Sequence, residues 1–162
     1  MIVIRRGDKA EIDVAVGVYE RSSFAYHKGD WPRAKRVEDA RSRLHAPDTW
    51  FLLAMDALEA VGMACVQPLK SLLGTGPVIP DAYMLAYFYI APNRWGERIG
   101  GALLDKVIAE AKLLGAMQIN LWAYADNERA HRLYGSRGFR RTGQIHATQE
   151  EWSVVLPLSI DG

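Results

Sequence analysis

The spacing of apolar residues in the first 45 positions predicts one strand and two helices. Residues 2–5 read as a short strand, and apolar residues recur at helical spacing from Ile12 to Tyr19. A turn-rich segment with three aromatic residues follows at 22–31, and Pro32 then opens a second helix. Because that helix is mostly polar, we expect it to lie at the surface.

The middle of the chain reads as the centre of a sheet. Two apolar segments, 49–56 and 59–69, are separated by a few residues and predict a β-hairpin. The segment 71–81 is rich in glycine and proline and reads as a loop. The next segment, 82–91, is apolar on both pleat faces, so we expect a central strand that is covered on both sides.

The last third of the chain predicts a crossover followed by an antiparallel pair. An amphipathic helix that ends near Gly115 joins the central strand to a strand at 117–125. A short helix over 126–138 and two closing strands, 139–147 and 150–158, complete the pattern. The apolar face of the longer helix is Leu103, Leu104, Val107, Ile108, Ala111 and Leu114. The sum is one α/β domain over 1–162, with a mixed, mostly antiparallel sheet flanked by helices on both faces.

Composition narrows the function classes. The 162 residues carry a formal net charge of +1, which provides no broad field for capturing nucleic acid or an anionic membrane. No apolar run approaches the roughly 18 residues that span a bilayer. The single cysteine, Cys65, lies in an apolar segment and is expected to be a buried hydrophobe, so we expect a reducing cytoplasm. The four histidines have no metal-ligand spacing, and no metal is expected.

The segment Pro92–Leu104, "PNRWGERIGGALL", predicts an anion site. A turn with Gly96, Gly100 and Gly101 leads from the central strand into a helix N-terminus, where N–H groups have no intrahelical partner. A glycine turn that only changes the chain direction is the alternative. The spacing excludes both the GxxxxGK loop of nucleotide hydrolases and the GxGxxG dinucleotide fingerprint, so another diphosphate ligand is needed.

A second set of residues lies in "NERAHRLYGSRGF", residues 127–139. Asn127, Ala130, His131 and Tyr134 follow at offsets of three, four and seven, which places them on one face of a helix. The chain has, in order, a strand with "FYIAP", the segment "WGERIGGALL", an amphipathic helix, a second strand and "NERAHRLYGSRGF". This order of motifs resembles the GNAT superfamily of N-acetyltransferases, which transfer acetyl from acetyl-CoA to amines. The strong match covers Tyr83 to Phe139, about a third of the chain.

The resemblance implies the GNAT fold, acetyl-CoA as cofactor and a set of binding residues. The turn amides would hold the CoA pyrophosphate, the main chain of the central strand would pair with pantetheine, and Asn127 would hydrogen-bond the pantetheine arm. Tyr134 matches the tyrosine that lies beside the thioester sulfur in many members. The implied cofactor-binding residues are Tyr89, Ile90, Ala91, Trp95, Gly96, Glu97, Arg98, Ile99, Gly100, Gly101, Asn127, Ala130 and Tyr134.

This chain departs from the family pattern at two turn positions. Trp95 stands where Gln or Arg is usual, and Arg98 stands where an earlier glycine is expected. Arg98 either contacts phosphate through a charge-assisted hydrogen bond or is a solvated arginine.

Transfer to an amine needs an acid for the departing thiolate and a base for the amine. Tyr134, with an ordinary phenol pKa, is the expected acid, and a core tyrosine is the alternative reading. No carboxylate lies on the central strand at the place usual in relatives. Asp30, Glu38 and Asp81 are weak candidates for a base that acts through water, and each reads more simply as a surface charge.

Acceptor contacts are expected from the early helical region. Phe24, Tyr26 and Trp31 form an aromatic wall for an amine, or else close a loop over the core. We expect direct transfer to a primary amine of a small molecule. The alternatives are a protein N-terminal or lysine acetyltransferase and a CoA-binding sensor without catalysis. The resemblance also allows a homodimer, since many relatives dimerise through edge strands.

Overall fold

The computed structural model describes residues 1–29 and 33–157. Its strands are β1 (Ile2–Arg6), β2 (Trp50–Asp56), β3 (Glu59–Lys70), β4 (Val78–Ile90), β5 (Gln118–Tyr124), β6 (Arg140–His146) and β7 (Gln149–Val155). Its helices are α1 (Ile12–Tyr26), α2 (Ala34–His45), the four-residue α3 (Ser71–Gly74), α4 (Ile99–Leu113) and α5 (Glu128–Ser136). Short 3₁₀ turns at Lys9–Glu11 and Pro92–Arg94 precede α1 and follow β4.

The strands form one mixed sheet in the order β1-β2-β3-β4-β5-β7-β6. β4 and β5 are parallel, with Ala82–Leu85 opposite Gln118–Leu121, and α4 is the crossover between them. The pairs β1–β2, β2–β3, β5–β7 and β6–β7 are antiparallel. The predicted fold class, hairpin, crossover and closing strand pair are therefore confirmed.

Two segment predictions are wrong in part, although residues 27–29 are a turn and residues 75–77 lie outside helix and strand, as predicted. The turn predicted at 22–31 is helical as far as Tyr26, because Ser22 and Ser23 are buried in α1 rather than competing for the backbone. The loop predicted at 71–81 is strand from Val78 onward, since β4 extends four residues further than its apolar core. The remainder is a tight turn in which Leu72 and Leu73 adopt left-handed conformations, with φ of 52° and 54°.

The chain divides into two compact units, which we describe separately. Unit 1 comprises residues 1–66 and 87–107, and unit 2 comprises residues 67–86 and 108–162. In unit 1, α1 and α2 pack on one face of β2 and β3, through residues that include Ile12, Leu44 and Leu53. The next residue of β2, Ala54, faces the other side and packs with Val61, Ala91 and Ile99.

The core of unit 2 lies between α5 and the strands β5 and β7. Leu121 on β5 is directly opposite Trp152 on β7, and both are buried. Tyr134 of α5 packs near Trp152 and Phe139, with ring centroids 6.5 Å and 5.9 Å away. Burial of these large side chains is the main force that fixes α5 on the sheet.

Candidate functional site

The anion-binding turn predicted at Pro92–Leu104 lies in unit 1 between β4 and α4. Gly96 and Arg98 both have left-handed backbones, with φ of 90° and 65°. The helix begins at Ile99. Gly100 and Gly101, which the sequence analysis placed in the turn before the helix, therefore belong to the first turn of the helix itself. Ala102 is the first residue whose N–H reaches back four residues, to the Arg98 carbonyl at 3.4 Å. The N–H groups of residues 99–101 precede it and form the donor set of a helix N-terminus.

An ion-pair network fastens this turn to the end of β2. The Arg94 guanidinium contacts Asp56 at 2.9 Å and Glu97 at 2.9 Å. These carboxylates, Glu97 first, raise the pKa of Arg94. Glu97 was predicted to contact the cofactor, but its carboxylate is held by Arg94, which leaves its main chain for any ligand. The pairing also neutralises an acidic group that would repel an anion at this turn.

Trp95, the residue that replaces the usual Gln or Arg, turns back toward β4. Its indole Nε1 donates to the carbonyl oxygen of Ile90 at 2.8 Å, and the side chain stays 41% exposed. The Ser22 hydroxyl of α1 donates to the same oxygen at 2.7 Å. The N–H of the next residue, Ala91, donates to Val61 of β3 at 2.8 Å. Two of the main-chain groups predicted to pair with pantetheine are therefore engaged within the protein.

Unit 2 holds the residues predicted on the short helix. Asn127 is the N-cap of α5, because its side-chain oxygen accepts from the Ala130 N–H at 3.2 Å. It therefore lies at the helix start instead of on the helical face that the offsets suggested. Its side-chain NH₂ is the part left to face a ligand.

Tyr134 is buried, at 7% exposure, against Phe139 and Trp152. Burial raises the pKa of this phenol above its ordinary value. The expectation of an ordinary pKa is therefore wrong, since the helical spacing could not show how completely the ring would be covered. A raised pKa keeps the hydroxyl protonated at neutral pH and makes it a weaker acid.

Sequence reasoning gave no role to Trp152 or Arg141, which lie beside His131 of the predicted helical face. The His131 ring lies 5.2 Å from the Trp152 ring, and the Arg141 guanidinium lies 4.5 Å above it. Arg141 approaches His131 Nδ1 at 3.4 Å, and His131 Nε2 lies 2.9 Å from the Tyr124 carbonyl, an arrangement that fits a proton on Nε2. The buried Trp152 Nε1 has no hydrogen-bond partner in the part of the chain that the structure describes.

The predicted acceptor wall is not formed by a loop. Phe24 and Tyr26 are half-buried residues of α1, and Tyr26 stacks edge-on against His27 at 5.1 Å. Trp31 lies outside the described residues, as does Asp30. Glu38 pairs with Arg41, and Asp81 is exposed with a φ of 58°, so neither presents a buried carboxylate for use as a base.

Other site classes have no support in the described ranges. Residues 1–29 and 33–157 contain no group of three potential metal ligands among His, Cys, Asp and Glu. Within the same ranges, no helix has the length and apolar character to cross a membrane.

Comparison with known proteins supplies the family. The model of the acetyltransferase (GNAT) family matches residues 15–139. A search of curated protein sequences finds no significant match.

Solved structures share the fold at low identity. PaiA N-acetyltransferase from Thermoplasma acidophilum, in complex with coenzyme A, is 16% identical with a TM-score of 0.75, covering 96% of this chain and 99% of its own. A GNAT acetyltransferase from Staphylococcus aureus is 17% identical with a TM-score of 0.75, covering 97% and 100%. Ribosomal-protein-alanine N-acetyltransferase from Brucella melitensis is 20% identical with a TM-score of 0.71, covering 95% and 99%.

The family model spans the crossover from β4 through α4 to β5, the turn with its helix N-terminus, and α5 with Tyr134. The resemblance and the acetyl-CoA cofactor predicted from the sequence are therefore confirmed. This chain belongs to the GNAT family of acetyltransferases, whose members use acetyl-CoA as the acyl donor.

Proposed function

We propose that this protein is an N-acetyltransferase that moves the acetyl group of acetyl-CoA directly to a primary amine of a small molecule. The observation that carries the proposal is the turn before α4. Its two left-handed residues, Gly96 and Arg98, lead into N–H groups at 99–101 that have the geometry for anionic oxygens. A CoA pyrophosphate supplies such oxygens.

We assign the contacts with pantetheine to the main chain of β4 and to the side-chain amide of Asn127. The main chain of Tyr89 and the Ile90 N–H on β4 are proposed to pair with pantetheine. The Ile90 carbonyl and the Ala91 N–H have partners within the protein. The Asn127 amide nitrogen, left over from capping α5, is proposed as a donor to the pantetheine arm.

When bound, acetyl-CoA supplies a thioester that is activated toward amines. The acceptor nitrogen bonds to the acetyl carbon, the carbon–sulfur bond breaks, the amine loses a proton to solvent and the sulfur gains one. Tyr134 is proposed to give the sulfur its proton. Because burial raises the pKa of Tyr134, the hydroxyl is fully protonated over the working pH range, and it is reprotonated readily after each turnover.

Cys65 supports direct transfer over an acylated enzyme. The thiol is fully buried on β3, and burial raises its pKa to about 12. A thiol with that pKa is protonated at neutral pH and is a poor nucleophile. Cys65 is the only cysteine of the chain, so no other thiol can carry the acetyl group.

A protein N-terminus is the second candidate acceptor. Two solved neighbours of the same fold act on ribosomal-protein alanine, each at 20% identity to this chain. An acceptor screen separates the two candidates. Purified protein with acetyl-CoA is offered a panel of small primary amines and a panel of peptides with free N-termini or lysines, and thiol release is measured.

We expect turnover on small amines, and turnover on peptides alone would replace the first choice by the second. Calorimetry with CoA runs beside the screen. Binding of CoA without turnover on either panel would instead indicate a sensor without catalysis.

A further inference from the structure

Three tyrosines of unit 1, here called the tyrosine cluster, lie together where α1 faces β4. Tyr19 of α1 contacts Tyr87 and Tyr89 of β4 edge-on, with ring centroids 5.5 Å and 5.1 Å apart. The rings of Tyr87 and Tyr89 are 6.4 Å apart. Tyr19 is buried, while Tyr87 and Tyr89 are half-buried and pack against the apolar core below α1 and α2.

Arg43, an exposed residue of α2, contacts one member of this cluster, Tyr87. Its guanidinium carbon lies 5.7 Å from the Tyr87 ring centroid, within the range of a cation–π contact. Burial raises the pKa of both Tyr87 and Cys65, and the positive charge of Arg43 opposes the rise at each. The positive charge of Arg43 therefore acts on a half-buried phenol and on a buried thiol of unit 1.

The cation and the phenol beneath it have unused donors. Arg5, Arg41, Arg94 and Arg141 each contact at least one carboxylate. Arg43 forms no ion pair, and the Tyr87 hydroxyl forms no hydrogen bond, with any residue that the structure describes. Both groups can donate a hydrogen bond to an anionic oxygen, and the guanidinium lies 5.7 Å from the centroid of the ring that carries the hydroxyl.

The nearby charges do not cancel Arg43. Asp39 lies one turn earlier on α2, and of the groups that influence the pKa of Tyr87 its charge has the smallest effect, a raising one. Asp39 is more than half exposed and pairs with Lys35 at 3.8 Å. Tyr19 and Cys65 are the remaining titratable groups that influence Tyr87, and both raise its pKa. Cys65 is a neutral thiol at pH 7, because burial raises its pKa to about 12.

Tyr87 also has a position that fits an acceptor contact. It lies three residues before Ile90 on β4, on the strand whose end leads into the pyrophosphate turn. A pantetheine arm that pairs with β4 and starts from that turn extends back along the strand, so its thioester end points toward Tyr87 and Tyr89. This placement rests on the proposed function.

We propose that the acceptor is a primary amine that also carries a carboxylate, and that Arg43 and the Tyr87 hydroxyl bind that carboxylate. The tyrosine cluster forms the wall against which the rest of the acceptor packs. A small amino acid or a similar amino carboxylate meets both requirements, since one end offers the amine and the other the anion.

Matched acceptors test the proposal. Alanine, phenylalanine, glutamate and lysine are each compared with the amine that remains when the α-carboxylate is removed, and kcat and KM are measured with saturating acetyl-CoA. We expect the protein to favour the carboxylate-bearing member of at least one pair by tenfold or more, roughly the value of a charge-assisted contact.

The pair of acceptors that shows this preference is then measured with variants of the protein. Arg43→Ala should raise KM for the carboxylate-bearing acceptor by about 10- to 100-fold and leave its decarboxylated partner within about twofold. Arg43→Lys should keep part of the preference, and Tyr87→Phe should lose about threefold to tenfold. Arg36→Ala removes one positive charge from the same helix, at an exposed position two turns away from Arg43, and should change neither acceptor.

The outcomes are distinct. Equal kcat/KM for both members of every pair, or an equal loss on both in Arg43→Ala, overturns the carboxylate site while the acetyltransferase function stands. Binding of CoA with no turnover on any amine overturns the proposed function and this inference with it. Should Arg43→Ala fail to fold, the Arg43→Lys and Tyr87→Phe comparisons decide the question in the same way.

Discussion

The indole Nε1 of Trp95 donates a hydrogen bond to the carbonyl oxygen of Ile90 at 2.8 Å, joining the turn before α4 to the last residue of β4. Ser22 donates to the same oxygen from α1, so a single carbonyl ties three elements of unit 1 together. The turn is thereby held in place before any ligand arrives, and preorganisation of this kind lowers the cost of binding.

Trp95→Phe should weaken CoA binding, because it removes the hydrogen bond and keeps an aromatic ring. Loss of about 1 kcal/mol corresponds to a rise of about fivefold in Kd, measured by calorimetry. Trp122→Phe, which removes an indole N–H from β5, is the matched control and should leave Kd unchanged. Tighter binding by Trp95→Phe would show instead that the indole competes with the ligand for the Ile90 carbonyl.

Arg98→Gly should stabilise the protein. Arg98 has a φ of 65°, a left-handed conformation that costs a residue with a Cβ about 1 kcal/mol or more. Part of that gain is offset by the greater freedom of glycine in the unfolded chain, so we expect a net gain of roughly 0.5 kcal/mol in the free energy of unfolding. Urea denaturation measures it.

Arg36→Gly is the comparison, because Arg36 lies within α2, where glycine is unfavourable by about 1 kcal/mol relative to a good helix former. A loss of stability in Arg98→Gly as large as that in Arg36→Gly would mean that the Arg98 side chain makes a compensating contact. Calorimetry with CoA on the same sample then shows whether that contact is to phosphate.

Tyr134→Phe should lower kcat by about a hundredfold and leave KM for acetyl-CoA nearly unchanged, as expected for loss of a general acid. The ring still packs on Phe139 and Trp152, so the melting temperature should change little. Because burial raises the pKa of Tyr134, the wild-type kcat profile should show no loss of activity from this phenol up to pH 10. An unaltered kcat over the full pH range would remove the acid role, and Tyr124→Phe serves as the control.

Cys65→Ala should retain kcat within about twofold, since a buried thiol with a pKa of about 12 cannot act as an acyl carrier at neutral pH. The native thiol should resist iodoacetamide and react only after denaturation. Mass spectrometry of a quenched reaction supplies the contrary evidence, because an acetyl group found on Cys65 would require an acylated enzyme.

Acid should destabilise the protein through Glu11. The Arg5 guanidinium donates to both oxygens of this carboxylate, at 2.8 Å and 2.6 Å, and lowers its pKa to about 2. A carboxylate whose pKa is lower in the folded state stabilises the protein above its unfolded pKa, near 4.5, and that contribution is lost as the pH falls toward 2.

Glu11→Gln should therefore lower the melting temperature at pH 7. The difference in melting temperature between this variant and the wild type should shrink as the pH drops from 4.5 to 2. Glu59→Gln, on an exposed position of β3, is the control for loss of one negative charge. A difference that stays constant across this range would assign the effect to the hydrogen bond that Glu11 accepts from the Asp8 N–H rather than to ionisation.

Much of the fold was predictable because its signals are local. The continuous apolar runs of β2 and β3, the helical spacing of α4 and the glycine near its end are properties of a few neighbouring residues. The left-handed Gly115, with a φ of 83°, follows α4 as the sequence predicted. The early turn failed because Ser22 and Ser23 are turn formers by propensity, and only burial against the core holds them in a helix.

The sequence by itself determined the family, the cofactor class and the position of the turn that precedes α4, since glycine placement and helical periodicity are encoded over short stretches. Only the tertiary structure decided which hydrogen-bond donors and acceptors remain available to a ligand. Residues far apart in the chain, such as Ser22 with Ile90 and Asp56 with Arg94, meet by folding, and each such contact occupies a donor or acceptor. The same is true of the Tyr134 pKa and of Arg43 above Tyr87, because burial and charge proximity depend on packing and have no signature in local spacing.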